Sequence, residues 1–370
     1  MKQRLIAKIT TVLQHVPLVR NLARQKFIAH FIIGLIKSRN VQFGEVAQHL
    51  NDAAKPASNE TRIQDFFRQV ELDYLVLARL LVSLLPAQGK LRLCLDRTEW
   101  DFGHCQVNIL LVTVGRGAWH VPFYWELLDN RSGNSNAGQR IAVLQKCVAV
   151  LGRERIGLVL GDREFVGHEW FKWLQDNGLN FIRRLPKHHL LTLASGQRHA
   201  IADLGLAQGQ VRRFTQCQVD GVWGQAWVQA LAGGDFLFLF GNVGLPYMGQ
   251  LYAKRWTIEQ CFQNLKGRGF NLEATHLRCH RKLRKLVALV SLAYAFCLSV
   301  GQAADRRTPI TCKKHGYRAM SLSRHGLNIL RHITRPATEA TLPIARQVEA
   351  LLRWLIRQVA RYQISGKIVG

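Results

Sequence analysis

Residues 156–160 read Ile-Gly-Leu-Val-Leu, without one polar side chain, and the run stops at Gly161-Asp162. A segment this short and this uniformly apolar is a strand buried on both faces, which arises where helices cover both sides of a parallel sheet. An α/β fold follows. Upstream, Leu91, Leu93 and Leu95 alternate with Arg92 and Cys94 as far as Asp96. Two further strand-like runs, His104 to Val114 and Ala118 to Leu128, flank Gly115-Arg116-Gly117, which makes a three-stranded meander. The polar loop Asp129 to Gly138 then leads to a predicted helix over 139–151, and beyond the apolar strand come a helix over 169–176 and a strand over 180–185.

Three antiparallel strands, a helix, then strand-helix-strand is an α/β order of the ribonuclease H type, although periodicity equally permits other α/β sheets. From about residue 187 to 246 the pattern is strand-like, with turns at Gln208-Gly209, Asp220-Gly221 and Gly233-Gly234, and it reads as a β-rich insertion. Leu251 to Lys266 resumes a helix. The first ninety residues are helical by spacing, through Ile6, Ile9, Val12 and Leu13 and again through Phe31, Ile32, Leu35 and Ile36. Within them, Gln42 to Leu50 and Glu60 to Val70 flank a breaker-rich stretch, with Ser58 or Asn59 as N-cap. This pair reads equally as a plain bundle or as a helix-turn-helix, and in the latter Asn59, Thr61, Arg62 and Gln64 would face a groove. Three regions result: a helical one over 1–87, an α/β one over 88–310 after the break at Pro86 and Gln88-Gly89, and a basic helical one over 311–370.

The charge narrows the partner. Lys and Arg number 51 against 24 Asp and Glu, a net +27, while 48% of residues are hydrophobic, so the chain is a folded protein rather than a basic tail. The excess is spread along the chain: 13 basic against 6 acidic side chains over 1–90, and 13 against 3 over 301–370. Such a footprint suits nucleic acid. The eight cysteines form no CxxC pair, and His276, Cys279 and His280 match no common metal spacing and sit among basic residues. With no secretory pattern at the start, a reducing cytoplasm is the expected setting. Leu286 to Ala304 is uncharged for nineteen residues, but Ser291, Tyr294, Ser299 and Gln302 favour a buried core helix over a membrane span.

Asp96 and Asp162 both fall at or near the carboxyl end of an apolar strand, the edge where open α/β sheets bind ligands. In LYAKRWTIEQCFQNLKGRGF, a continuous helix would place Tyr252, Arg255, Glu259 and Lys266 within a wedge of about 60°. A solvated salt-bridge ladder explains Arg255 and Glu259 equally well on spacing alone. Beside the two aspartates, however, Glu259 supplies a third hard oxygen ligand of the kind divalent cations require. Two such ions about 3.5–4 Å apart serve phosphodiester chemistry. Glu99, Asp101 and Glu164 are spare carboxylates in the same neighbourhood.

Asp96 in LCLDRTEW, Asp162 in GLVLGDREF and the Y-x2-R-x3-E-x6-K spacing from Tyr252 to Lys266 resemble the DDE transposases of bacterial insertion sequences, in particular the insertion-sequence-four family. The resemblance spans most of the chain. It implies a ribonuclease H-like catalytic core with a β-rich insertion, flanked by helical amino- and carboxyl-terminal regions. It implies metal-dependent cleavage at transposon ends and joining of the freed 3′-hydroxyl to target DNA, with two Mg²⁺ ions, or Mn²⁺ in their place, held by Asp96, Asp162 and Glu259. Tyr252 and Arg255 would then contact terminal nucleotides or a flipped base, and Lys266 a phosphate. Trp223 and Trp227 are the insertion's candidates for stacking on that base, although a core role is the simpler reading of each. The implied partners are double-stranded DNA and a second copy of the chain in a synaptic complex, on the bacterial nucleoid and away from membranes. A ribonuclease H-fold nuclease that never joins strands, or a non-catalytic DNA-binding descendant, would share most of these features.

Overall fold

The computed structural model describes residues 2–16, 18–85, 89–102, 105–117, 119–128, 133–314, 316–335 and 342–365. The described chain is mixed α/β, with a large sheet and twelve α-helices. It forms two compact units, one of residues 1–87, 102–105 and 261–370, the other of residues 88–101 and 106–260. Pro86 and Gln88 of the expected break, His104 and Ala118 at the starts of two expected strands, and residues 129–132 of the expected loop lie outside the described residues.

The first unit opens with α1 (Lys2–Gln14), α2 (Leu22–Ser38), α3 (Phe43–Leu50), α4 (Pro56–Gln69) and α5 (Tyr74–Ser83). Asn21 and Asp73 cap α2 and α5 by accepting backbone N–H bonds, as short polar side chains do at helix starts. The start of α4 differs from the sequence expectation. The helix begins at Pro56 behind Lys55, because proline's fixed φ suits the first helical position. Asn59 is accordingly inside the helix and buried, and its amide donates to the carbonyls of Ala47 and Asn51 at 3.0 Å each. Asn59 therefore staples the α3–α4 connection and faces no groove, whereas Thr61, Arg62 and Gln64 are exposed.

The sheet has ten strands in the order β3-β2-β1-β4-β5-β10-β9-β8-β6-β7. The first five are β1 (Leu91–Phe102), β2 (Cys105–Arg116), β3 (Trp119–Leu127), β4 (Ile156–Gly161) and β5 (Phe181–Leu185). Between β3 and β4 lies α6 (Ala137–Leu151), started by a capping box of Asn136 and Gln139, and between β4 and β5 lies α7 (His168–Asp176). The apolar strand β4 is parallel to both neighbours, with Leu93↔Val159 on one side and Leu160↔Ile182 on the other. Gly161 leaves room there: a Cβ at this position would lie 3.1 Å from the guanidinium of the fully buried Arg183, which would have to give by a few tenths of an ångström. The other five strands are β6 (Leu190–Leu193), β7 (Arg198–Ala200), β8 (Val211–Val219), β9 (Val222–Ala230) and β10 (Phe236–Gly241). They extend the same sheet, because β10 pairs antiparallel with β5. Asp220 and Gly221 turn the β8–β9 hairpin with φ of 51° and 75°, the left-handed pair that a two-residue connection needs.

Strand β1 runs to Phe102, six residues past the end predicted from alternation, because it continues beside β2 after leaving β4. Its pairing with β4 ends at Leu95↔Gly161. Asp96 is thus in mid-strand, yet at the point where the parallel pair opens, and Asp162 is the next residue on the other side.

The segment expected as one helix over 251–266 is two, α8 (Met248–Ala253) and α9 (Trp256–Leu265). The chain then forms α10 (His280–Asp305), α11 (Leu322–Ile333) and α12 (Leu342–Ser365) in the helical unit. The apolar stretch of α10 is 89% buried within the protein, as a core helix should be. Lys285 ends its apolar face and is fully buried, donating to the carbonyls of Phe67 at 2.8 Å and Val70 at the end of α4.

Candidate active site

The parallel strands bring Asp96 and Asp162 to one sheet edge, and the α8–α9 corner brings the rest. Tyr252 lies in the last turn of α8, Arg255 occupies the corner and Glu259 sits in the first turn of α9. The corner is a tightened turn, with the Arg255 N–H donating to Tyr252 O at 2.8 Å and the Ile258 N–H to Arg255 O at 3.0 Å. The Lys254 carbonyl accepts both the backbone N–H of Thr257 at 3.3 Å and the Thr257 hydroxyl at 2.9 Å, so the hydroxyl reinforces the tightened turn. The expected single helix is therefore interrupted, yet Tyr252, Arg255 and Glu259 still meet, with the Arg255 guanidinium near the Tyr252 ring and paired with Glu259.

Its guanidinium is the hub. Arg255 Nη1 lies 3.4 Å from Asp96 Oδ2, Nη2 lies 3.9 Å from Asp162 Oδ2, and Nη2 also pairs with Glu259 Oε1. Three half-buried carboxylates from three different elements thus face one cation, itself only 13% exposed. Tyr252 is buried beside them, donates its hydroxyl to Asp162 Oδ1 at 3.4 Å and places its ring 5.8 Å from the guanidinium carbon. Arg255 Nε is buried without a hydrogen-bond partner.

The electrostatics follow from that crowding. Burial raises Asp96 from the usual carboxylate range to about 6, against the pull of the Arg97 N–H and of Arg255, and the Asp162 and Glu164 charges push the same way as burial. Burial lowers Arg255, but Tyr252, Asp162, Asp96 and Glu259 together outweigh it, so its net shift is upward. Burial raises the Tyr252 phenol, and Asp162 adds to the shift, which keeps it protonated and a donor.

A second arginine, Arg97, which no sequence pattern singles out, holds the ground around the site. Arg97 Nε donates to Glu164 Oε2 at 3.0 Å, Nη1 pairs with Glu99 and also reaches Asn108 Oδ1 at 3.3 Å. Glu164 also accepts from the Ser135 hydroxyl at 3.0 Å. Two of the three spare carboxylates are therefore engaged with Arg97, and the third, Asp101, is exposed.

The remaining sequence candidates separate. Lys266 belongs to the helical unit, where its Nζ pairs with Glu273 Oε1 at 2.6 Å, and Arg62 is exposed on α4 in the same unit. Trp223 is 50% exposed on the β8–β9 hairpin, whereas Trp227 is 9% exposed and packs on α8 at Gly249. Trp256, next to Arg255, is 54% exposed and was not singled out from sequence, since nothing in the pattern distinguishes it from a core tryptophan.

Among the described residues no three His, Cys, Asp or Glu side chains are already gathered as a metal site. The donor set nevertheless fits a hard divalent cation. Asp96, Asp162 and Glu259 are oxygen ligands that already converge on one positive centre, that of Arg255.

A family model described as a transposase DDE domain matches residues 245–296, which include Tyr252, Arg255, Glu259 and Lys266. No curated protein matches the chain. Among solved structures, endonuclease V from Bacillus subtilis aligns over 65% of this chain and 92% of its own at 12% identity, with a TM-score of 0.26, too low to bear on the fold. The domain match supports a DDE transposase.

Proposed function

We propose that the chain is a DNA transposase of the insertion-sequence-four kind, which nicks the inverted-repeat ends of its element and joins the freed 3′-hydroxyl to target DNA. The observation that carries this reading is the convergence of Asp96, Asp162 and Glu259 on Arg255, with the last two of these four lying inside the segment that matches a transposase DDE domain. The order β3-β2-β1-β4-β5, with α6 between β3 and β4, supports a ribonuclease H-like core, to which β6–β10 are the insertion. On this reading residues 1–87 bind DNA, 88–310 form the catalytic domain, and 311–370 add a basic helical region.

Asp96, Asp162 and Glu259 would hold the cations. Bound Mg²⁺, for which Mn²⁺ substitutes, would activate the attacking oxygen and stabilise the leaving one. The Tyr252 hydroxyl orients Asp162. Arg255, Lys266 and Arg62 contact phosphates, and Trp223 is favoured over Trp227 for stacking on an extruded base because its ring is open to solvent. In the first step water attacks phosphorus and the P–O3′ bond breaks, leaving a 3′-hydroxyl and a 5′-phosphate. In the second that hydroxyl attacks a target phosphodiester and displaces its 3′-oxygen, so the number of P–O bonds is unchanged. Two copies would pair two ends, in the bacterial cytoplasm on the nucleoid.

The test is cleavage of a labelled duplex carrying the repeats that flank the reading frame, in Mg²⁺, followed by supply of a pre-cut end. Cleavage and joining are expected from the native chain, and loss of both from Asp96→Ala and Glu259→Ala. Cleavage that survives either substitution overturns the site. Cutting without joining would point to a ribonuclease H-fold nuclease, and binding without cutting in either metal to a non-catalytic descendant.

A further inference from the structure

Arg255 stands where a cation is needed. Its guanidinium reaches Asp96, Asp162 and Glu259 together, and those carboxylates come from β1, the residue after β4, and α9. One monovalent side chain neutralises three acids only in part. It also fits imperfectly, since Nε is buried with no acceptor and the closest approach to Asp162 is 3.9 Å. A buried, unmatched N–H is costly, so the arginine is held there by charge rather than by a full set of hydrogen bonds. Its residual exposure of 13% leaves the guanidinium an opening to solvent.

We propose that Arg255 is an internal counter-ion occupying the place of the divalent cation, and that a DNA phosphate draws it out, so that metal loading and phosphate capture are one coupled event. This rests on reading the three carboxylates as metal ligands. The competition is between like charges for the same oxygens: a divalent ion and the guanidinium cannot both sit among Asp96, Asp162 and Glu259. A phosphate offers the guanidinium a bidentate partner of matching geometry, which the three diverging carboxylates do not. Because binding free energies are reciprocal, DNA must raise the affinity for the metal by the same factor by which the metal raises that for DNA. Without DNA the site resists stray cations. With DNA in place it loads them.

The experiment measures Mn²⁺ binding to the full chain by electron paramagnetic resonance, with and without a short DNA duplex. In the native chain the duplex should tighten Mn²⁺ binding roughly ten-fold, within the usual range of coupling between sites. Arg255→Gln should bind Mn²⁺ about as much more tightly without DNA, and the duplex should then add nothing. Arg255→Lys keeps the charge and should stay close to the native affinity, which separates a loss of competition from a loss of folding. Mn²⁺ binding that depends on Asp96, yet is no tighter in Arg255→Gln or is equally DNA-responsive there, would overturn the counter-ion role alone. Binding that survives Asp96→Asn, or is absent from every variant with and without DNA, would overturn the metal site itself.

Discussion

At the scale of single residues, Asp96 carries the most testable chemistry. Its side chain is held between Arg255 and the Arg97 N–H, yet burial dominates and raises it from the usual carboxylate range to about 6. A carboxyl raised on folding contributes stability that is fully present below its unfolded value and is lost as pH rises through its folded value. In chelator, the native chain should therefore lose stability between pH of about 4 and about 6 through this group, and Asp96→Asn should not. The difference in melting temperature between the two should shift in favour of the variant as pH rises across that window. A difference independent of pH would contradict the assignment. The two aspartates were legible in sequence because each follows an apolar run. Arg97 was not, since what singles it out is a set of partners from Glu99 to Glu164 that only the folded sheet assembles.

At the scale of elements, burial on both faces made β4 recognisable, and alternation made the start of β1 recognisable. The length of β1 escaped because alternation reports one buried face, whereas its later residues are held by pairing with β2. The α8–α9 corner escaped for a different reason: no Gly or Pro marks it, and a threonine hydroxyl taking up one carbonyl has no signature in periodicity. The corner matters to function, since Arg255 sits in it and faces the three acids. In the helical unit, α10 was recognisable as a long apolar helix, and Lys285 explains why it belongs to a protein core. Its ammonium caps the end of α4, giving the Phe67 and Val70 carbonyls a donor they otherwise lack. Lys285→Met should cost about 1–3 kcal/mol by leaving those oxygens buried and unpaired, read as a lower denaturant midpoint with an unchanged slope. An unaltered midpoint would mean that the lysine's own desolvation cancels its bonds.

At the scale of the whole molecule, the net charge of +27 has to be reconciled with a cluster of carboxylates in one place. The reconciliation is local: Arg255 balances the acids in part, while the basic excess elsewhere is left for an extended polyanion. The logarithm of the DNA affinity should accordingly fall linearly with the logarithm of salt concentration, with a slope of about 0.9 for each phosphate neutralised. Titrations of a duplex at several salt concentrations check this, and an affinity indifferent to salt would remove the charge argument. The central claim, that Asp96, Asp162 and Glu259 together form a metal site, is tested most directly by anomalous diffraction from crystals soaked in Mn²⁺ with bound DNA. The account predicts a peak bridging those three carboxylates with the Arg255 side chain turned away, and a peak seated instead on Glu99, Asp101 or Glu164 would contradict it.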